Sequence, residues 1–490
     1  MKLYLQNHAY RYAVEQTMVS LFPGERPLYP EEPPQAGEAS ALSMLSRGAV
    51  FATAKTVLTY GGKTYTASVR MKTAALAEGA PLDRALQKAL RLSFYRAATQ
   101  ALGQEPPWGA ITGVRPVKIL TKAMESGKSP AQAEALLRDF YRVSPGRLAL
   151  AMDCARASLR ASASLRPDEI SLYIGIPFCP TRCAYCSFVS ADVGRSLGLV
   201  EPFLAALFRE IQALGQLLRQ TGQCVRSIYI GGGTPTTLSA PQLSALMAAL
   251  QAELDLSRCT EYTVEAGRPD TITAEKLAAI RNGGADRVSV NPQSMHDTVL
   301  RAMGRAHSAA DIPAAFALVR QAGFPCVNMD LIAGLPQDSP EGFRSSLDQV
   351  LALGPENITV HTLALKKGSR LMLEGSALPS AQAVAQMLDY AWETLREKGY
   401  LPYYLYRQKY MSGSFENVGW CLPGHENLYN LCMMEELHSV LALGGGGVSK
   451  LVNPKTGQID RLADPKYPKE YIQHIEETIA AKNRIFLEGS

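Results

Sequence analysis

Cys179, Cys183 and Cys186 lie in the run Tyr173-Ile-Gly-Ile-Pro-Phe-Cys-Pro-Thr-Arg-Cys-Ala-Tyr-Cys-Ser-Phe188, with three and then two residues between successive thiols. Thiolates are the usual ligands of iron–sulfur clusters, and a closed [4Fe-4S] electron-transfer centre uses four of them. Three on one short loop hold three irons and leave the fourth open to the amino and carboxylate groups of a small molecule. A zinc site would want a fourth Cys or His, and none follows within the next few residues. Disulfide pairing conflicts with the crowding of the three thiols in a chain that shows no secretory signature.

Other polar and glycine-rich groups recur downstream at intervals. Gly231-Gly-Gly-Thr-Pro235 lacks the Cβ atoms that keep a ligand off the backbone, so its N–H groups can be aimed at a carboxylate; a plain glycine turn is the alternative. Glu265 ends an apolar run in Tyr262-Thr-Val-Glu-Ala-Gly-Arg268. Its bland reading is an exposed strand-end carboxylate, and its place in the series favours a functional one. Arg287-Val-Ser-Val-Asn-Pro-Gln-Ser294, Gly304-Arg-Ala-His307 and Asp330-Leu-Ile-Ala-Gly-Leu-Pro336 likewise put polar groups at or near strand ends.

The elements that must position these groups form a regular series. Short apolar strands are predicted at 171–176, 226–231, 261–266, 287–291, 326–332 and 357–362. Helical patterns separate them, such as Phe203, Leu207, Phe208, Ile211, Leu214 and Leu218. Strand then helix, repeated, argues a parallel sheet with helices outside it. Six such units make an incomplete (βα)6 barrel, in which chemistry belongs to the loops after the strands. The fold class is therefore α/β, with this partial barrel over 166–365. An N-terminal accessory α+β domain is expected over 1–150, where Gly61-Gly62 marks a hairpin and 81–102 a helix. A C-terminal α+β domain is expected over 366–490, with a helix at 383–398, tyrosines at 400, 403, 404, 406 and 410, and Gly444-Gly-Gly-Gly447 opening the run 448–452.

Composition bounds the rest. The 490 residues are 47% hydrophobic and 19% charged, which reads as folded rather than disordered. Lys and Arg total 50 against 45 Asp and Glu, and the net charge of +5 with no basic run gives no nucleic-acid footprint. No apolar stretch is long enough for a transmembrane helix. The first residues break their apolar run too early for a signal peptide. Nine cysteines without an export signal point to a reducing cytoplasm.

Taken together, Tyr173, Ile176-Pro-Phe-Cys179, the triglycine motif, Glu265, Gln293, Arg305 and Asp330 resemble the oxygen-independent coproporphyrinogen III oxidase family of the radical S-adenosylmethionine (SAM) superfamily. Pro402-Tyr-Tyr-Leu-Tyr-Arg-Gln-Lys409, Phe415-Glu-Asn-Val-Gly-Trp420, Tyr429-Asn430 and the N-terminal Gly113-Val-Arg-Pro116 resemble its HemZ-type branch. The resemblance implies a [4Fe-4S] cluster on Cys179, Cys183 and Cys186, with SAM on the open iron. It implies cofactor contacts at Tyr173, Gly232, Glu265 and Ala364, and places Tyr185 near the adenine. Gly233, Thr234, Gln293, Arg305 and Asp330 match contacts to a second SAM, so one or two molecules are expected.

The implied activity is radical oxidative decarboxylation of coproporphyrinogen III propionates to the vinyl groups of protoporphyrinogen IX, the cofactor carrying the hard chemistry. An electron donor such as flavodoxin or ferredoxin goes with it. Arg407 and Lys409 are candidates to pair with substrate carboxylates, a solvated cationic turn being the other reading. Two positions depart from the family's oxidases: Gly175 stands where they have His, and Phe188 where they have Cys. Related heme chaperones also carry an aromatic at the second. A heme-binding chaperone and a radical heme-methylating, ring-opening enzyme are the alternative functions.

Overall fold

The computed structural model describes every residue except 23–24, 33–36, 75, 187–190, 193–195, 366–368, 375–376, 409–414, 454–455 and 489–490. Two compact units divide the chain, Met1–Ala151 and Met152–Ser490.

In the first unit, β1 (Lys2–Gln6), β2 (Ser40–Arg47), β3 (Phe51–Tyr60) and β4 (Lys63–Lys72) form a sheet in that order. The β3–β4 hairpin turns at Gly61-Gly62, both with positive φ, which is why the turn takes glycine. Apolar residues of alternate strand positions, among them Leu3, Leu45 and Leu58, pack on helices Arg11–Leu21 and Ala80–Leu102 through Val14, Met18, Leu90 and Phe94. Trp108 is a buried anchor of this unit.

The second unit is built on the expected strand series. The six strands are β5 (Glu169–Ile176), β8 (Cys224–Gly232), β9 (Glu261–Gly267), β10 (Arg287–Val290), β11 (Cys326–Ala333) and β12 (Asn357–Thr362), each parallel to the next. Two short strands, β6 (Phe178–Cys179) and β7 (Ala191–Asp192), pair beside the cysteine loop. The six long strands are buried on both faces, as a parallel sheet with helices over it requires. Helix Val200–Thr221 buries Phe203, Leu207, Ile211, Leu214 and Leu218, and stops at Gly222 in the left-handed conformation. Helix Ala240–Glu253 starts at a reciprocal cap: Ser239 Oγ accepts from Gln242 N–H while Gln242 Oε1 accepts from Ser239 N–H.

Residues 366–490 extend this sheet at both edges. β14 (Glu416–Cys421) pairs antiparallel with β12, and β13 (Leu401–Arg407) pairs antiparallel with β14 at the sheet's edge. At the other edge β15 (Val440–Gly444) lies parallel to β5, followed by β16 (Val448–Val452) and β17 (Ile459–Ala463), to give eleven strands. β15 is a seventh parallel strand that the sequence reading did not identify. No described helix is long and apolar enough to cross a membrane.

A buried ionic group ties the β15 edge to the barrel. Lys482 Nζ lies 2.5 Å from Glu210 Oε1 and 2.7 Å from Asp464 Oδ1, and donates to the Ala442 carbonyl. Glu210 also accepts from Gly444 N–H and the Tyr471 hydroxyl. Burial, with a second carboxylate nearby, pushes Asp464 upward, while the two acids hold Lys482 charged. Replacing the cation would strand two buried carboxylates, so Lys482→Met is expected to cost about 3–5 kcal/mol in urea unfolding. Asp464→Asn, which leaves one acid for one base, should cost much less.

Candidate active site

The cysteine loop leaves the end of β5 between two neighbours that carry no side chains. Gly233 N–H donates to Ile176 O at 2.8 Å and Thr234 N–H to Phe178 O at 2.7 Å, so the triglycine segment after β8 is zipped to the start of the loop. A Cβ on Gly232, whose φ is +111°, would sit 2.9 Å from Ile176 N, and one on Gly233 would sit 2.9 Å from the Phe178 carbonyl carbon. From sequence these glycines are expected to let a ligand approach; what the structure shows is that the protein's own backbone fills the space beside them. On the other side, Gly445 N–H donates to Gly175 O, and a Cβ on Gly175 would lie 2.5 Å from Gly445 O. No side chain fits at 175 in this packing, which accounts for the absence of a His there.

Side chains secure the rest of the loop. Buried Arg268, just beyond β9, donates from Nη1 to Thr181 O and Oγ1 at 3.0 and 2.8 Å, and its Nε faces Asp270. Ala184 N–H donates to Met303 O, and Thr234 Oγ1 lies 3.5 Å from Cys179 Sγ. None of the nine cysteines forms a disulfide.

Cys179, Cys183 and Cys186 line one open cavity of ≈ 360 Å³ together with Tyr185, Gly232, Gly233, Thr234, Glu265, Gln293, Arg305, Asp330 and Ala364. Among the described residues no three His, Cys, Asp or Glu converge on a point that would hold a single metal ion. Thiolates spread around a cavity suit a multi-iron cluster, one iron to each, better than one zinc.

Two carboxylates face the cavity in opposite states. Burial pushes Glu265 up to about 7; the Asp330 charge adds to this, while the Tyr229 hydroxyl at 2.9 Å, the Gly232 N–H and His361 oppose it. Asp330 is also buried, yet it is held below the usual carboxylate range by His361, whose Nε2 lies 3.7 Å from Oδ2, and by Asn328, which donates to Oδ1 at 2.8 Å. Carboxylates pushed apart in this way are a common mark of a working site.

Buried polar atoms without partners surround them. Arg305 donates from Nη2 to the Tyr185 hydroxyl at 2.9 Å, but its buried Nε and Nη1 have no hydrogen-bond partner. Gln293 Oε1 and Asn291 Oδ1 are buried and unpartnered as well. Gln293 has φ +68° and is held there by Gln293 N–H to Asp330 O and Ile332 N–H to Gln293 O. Strain of this kind, imposed by neighbours, clusters at binding sites. A ligand with amino, carboxylate and ribose groups would supply the missing partners, so the donor set fits SAM beside a thiolate-held cluster.

Two expected site residues fall elsewhere. Tyr173 does not line the cavity; it lies on β5 opposite Tyr229 of β8 and stacks with it and with Tyr429. Arg407 is buried outside the cavity lining, paired in register with Glu416 of β14, whose charge it faces. Strand alternation explains this, since its neighbours Tyr406 and Gln408 are the residues that reach the cavity. Lys409 and Phe188 lie outside the described residues. The sequence reading missed His361, Asn291, Arg268 and Thr181 in the lining. For His361 the signal was present: in Asn357-Ile-Thr-Val-His-Thr362 the apolar residues alternate with Thr359 and His361.

Residues 173–350 match the Radical SAM superfamily. The chain is 42% identical over 374 residues, 75% of each protein, to the oxygen-independent coproporphyrinogen-III oxidase-like protein HemZ of Bacillus subtilis. It is 29% identical to the heme chaperone HemW of Haemophilus influenzae, over 62% of this chain and 76% of that one. Among solved structures, the coproporphyrinogen III oxidase HemN of Escherichia coli superimposes with a TM-score of 0.53 at 25% identity, over 66% of this chain and 73% of that one.

Single replacement of Cys179, Cys183 or Cys186 by Ala is expected to remove the visible absorbance of the reconstituted protein and most of its bound iron and sulfide. Cys224→Ala and Cys259→Ala, away from the cavity, should leave both unchanged. Iron and sulfide analysis after anaerobic reconstitution checks this.

Proposed function

The chain belongs to the radical SAM superfamily and, within it, to the family of HemZ, and we propose that it acts on a tetrapyrrole, by oxygen-independent oxidative decarboxylation of coproporphyrinogen III propionates to vinyl groups. Superfamily membership implies a [4Fe-4S] cluster and SAM. When bound, they supply one-electron cleavage of the sulfonium and a carbon radical able to take hydrogen from an unactivated position.

The residues of the chain divide the remaining work. Cys179, Cys183 and Cys186 hold the cluster, and Arg268 fixes the loop that carries them. Glu265 and the triglycine segment would receive SAM, and Tyr185 and Ala364 line the same cavity beside them. Gln293, Arg305 and Asp330 stand ready for a second polar ligand of the same kind. The observation that carries the reading is the gathering of all three thiols with these polar groups in one cavity. Flavodoxin or ferredoxin is the class of electron donor that suits it, and a reducing compartment suits its unbridged thiols.

The similarity to HemW keeps a second reading, heme binding and delivery without turnover. Anaerobic incubation of the reconstituted protein with reductant, SAM and either coproporphyrinogen III or heme, followed by mass analysis and a heme-transfer assay, separates the two. Loss of one or two carbon dioxide units with hydrogen supports decarboxylation. Unchanged coproporphyrinogen together with stoichiometric heme transfer supports the chaperone, and a methylated linear tetrapyrrole from heme would indicate ring opening.

Glu265→Gln is expected to weaken SAM binding by about tenfold, the scale of one charge-assisted hydrogen bond, with iron content intact. Because Glu265 titrates near 7, its anionic form grows as pH rises through that value. Affinity for the cationic cofactor should then increase from pH 6 to 8 in the wild type, and less so in Glu265→Gln. Equilibrium dialysis at several pH values measures both.

A further inference from the structure

We propose that Tyr429, on the helix Leu428–Glu435 of the C-terminal region, is a positioning residue that acts on Glu265 through Tyr229. This rests on the proposed function only in giving Glu265 its cofactor role.

The inward-facing row of β9 is Glu261, Thr263 and Glu265, spaced by two along the strand, so all three side chains point the same way. The start of the Leu428–Glu435 helix engages the whole row. Glu261 accepts from the N–H groups of Leu428 and Tyr429 at 2.6 and 2.9 Å, and Arg287 stands 3.8 Å from the same carboxylate. Asn427, which caps the helix by accepting from Asn430 N–H, donates from Nδ2 to Thr263 Oγ1 at 3.1 Å. Tyr429 itself is buried and stacks on Tyr229 with ring centres 4.6 Å apart and planes at 22°. Tyr173 closes the stack at 6.2 and 6.3 Å from the other two rings. Tyr229 then donates its hydroxyl hydrogen to Glu265 Oε1 at 2.9 Å.

A tyrosine ring clamped on its face keeps only the rotation about its own axis, which does not move the hydroxyl. The stack therefore fixes the direction from which Glu265 receives its hydrogen bond. The groups facing Glu265 are Tyr229 and the Gly232 N–H from the β8 segment, Tyr173 from β5, Asp330 from β11, His361 from β12 and Tyr429 from the helix. Of these, Tyr229 is the side-chain donor that stabilises the carboxylate directly, so loosening it raises the pH at which Glu265 ionises.

Infrared difference titration of the full-length protein tests this, the protonated-carboxyl band of Glu265 being assigned by its loss in Glu265→Gln. Tyr229→Phe, which keeps the ring and removes the donor, should move the midpoint up by about one pH unit. Tyr429→Leu, which keeps apolar volume without a flat face, should move it the same way, and Tyr429→Phe should leave it within about 0.2 units of the wild type. A wild-type midpoint in folded Tyr429→Leu, or an equal shift in Tyr429→Phe, overturns the proposal. If Tyr429→Leu does not fold, Tyr229→Phe decides: an unmoved midpoint rejects the relay and a raised one supports it. SAM affinity measured on the same variants separates the two readings. Midpoints that shift while affinity stays constant would uphold the positioning and remove Glu265 from the cofactor.

Discussion

Three stretches of backbone meet without intervening side chains where the cysteine loop begins. β5 delivers Gly175 and Ile176 to this point, the triglycine segment after β8 closes on one flank, and Gly444-Gly445 at the end of β15 closes on the other. Each contact is too tight for a Cβ, so the loop is located by hydrogen-bonded main chain rather than by adjustable side chains. That suits a loop whose three thiols are proposed to share one rigid cluster. A cluster tolerates little error in ligand position, and a backbone seat has fewer degrees of freedom than a packed one.

Around this seat the polar groups are balanced against each other. Arg268 spends its hydrogen bonds on Thr181 and Asp270, leaving Arg305 as a cation with unsatisfied donors in the cavity. Asp330 is kept anionic by His361 and Asn328, and its charge in turn helps keep Glu265 near neutrality in its titration. The result is a pocket with donors and acceptors both available, as recognition of an amino acid group requires.

The strand series was legible because each strand is a short apolar run followed by glycine or a polar residue, and the intervening helices carry a clear 3.6-residue pattern. The strands begin and end within two residues of expectation in most cases: 171–176 against Glu169–Ile176, and 357–362 against Asn357–Thr362. β15 was not legible, because Val440-Leu-Ala-Leu-Gly444 is five residues long and its partner strand lies far back in the sequence. Motif spacing located the cysteines, Glu265, Gln293, Arg305 and Asp330, whereas depth along a strand was invisible to it. Tyr173 is held in the tyrosine stack and does not line the cavity, and Arg407 sits one residue out of phase with Tyr406 and Gln408.

The pairing of β15 with β5 also orders events during synthesis. The thiols of the cysteine loop emerge from the ribosome long before Gly444-Gly445, and longer still before Lys482, whose contact with Glu210 secures the Gly444 N–H. A nascent chain therefore presents its three cysteines on a loop with one flank open, and contacts so distant in sequence form late. The backbone seat of the cysteine loop is therefore complete only once the last part of the chain has returned to β5.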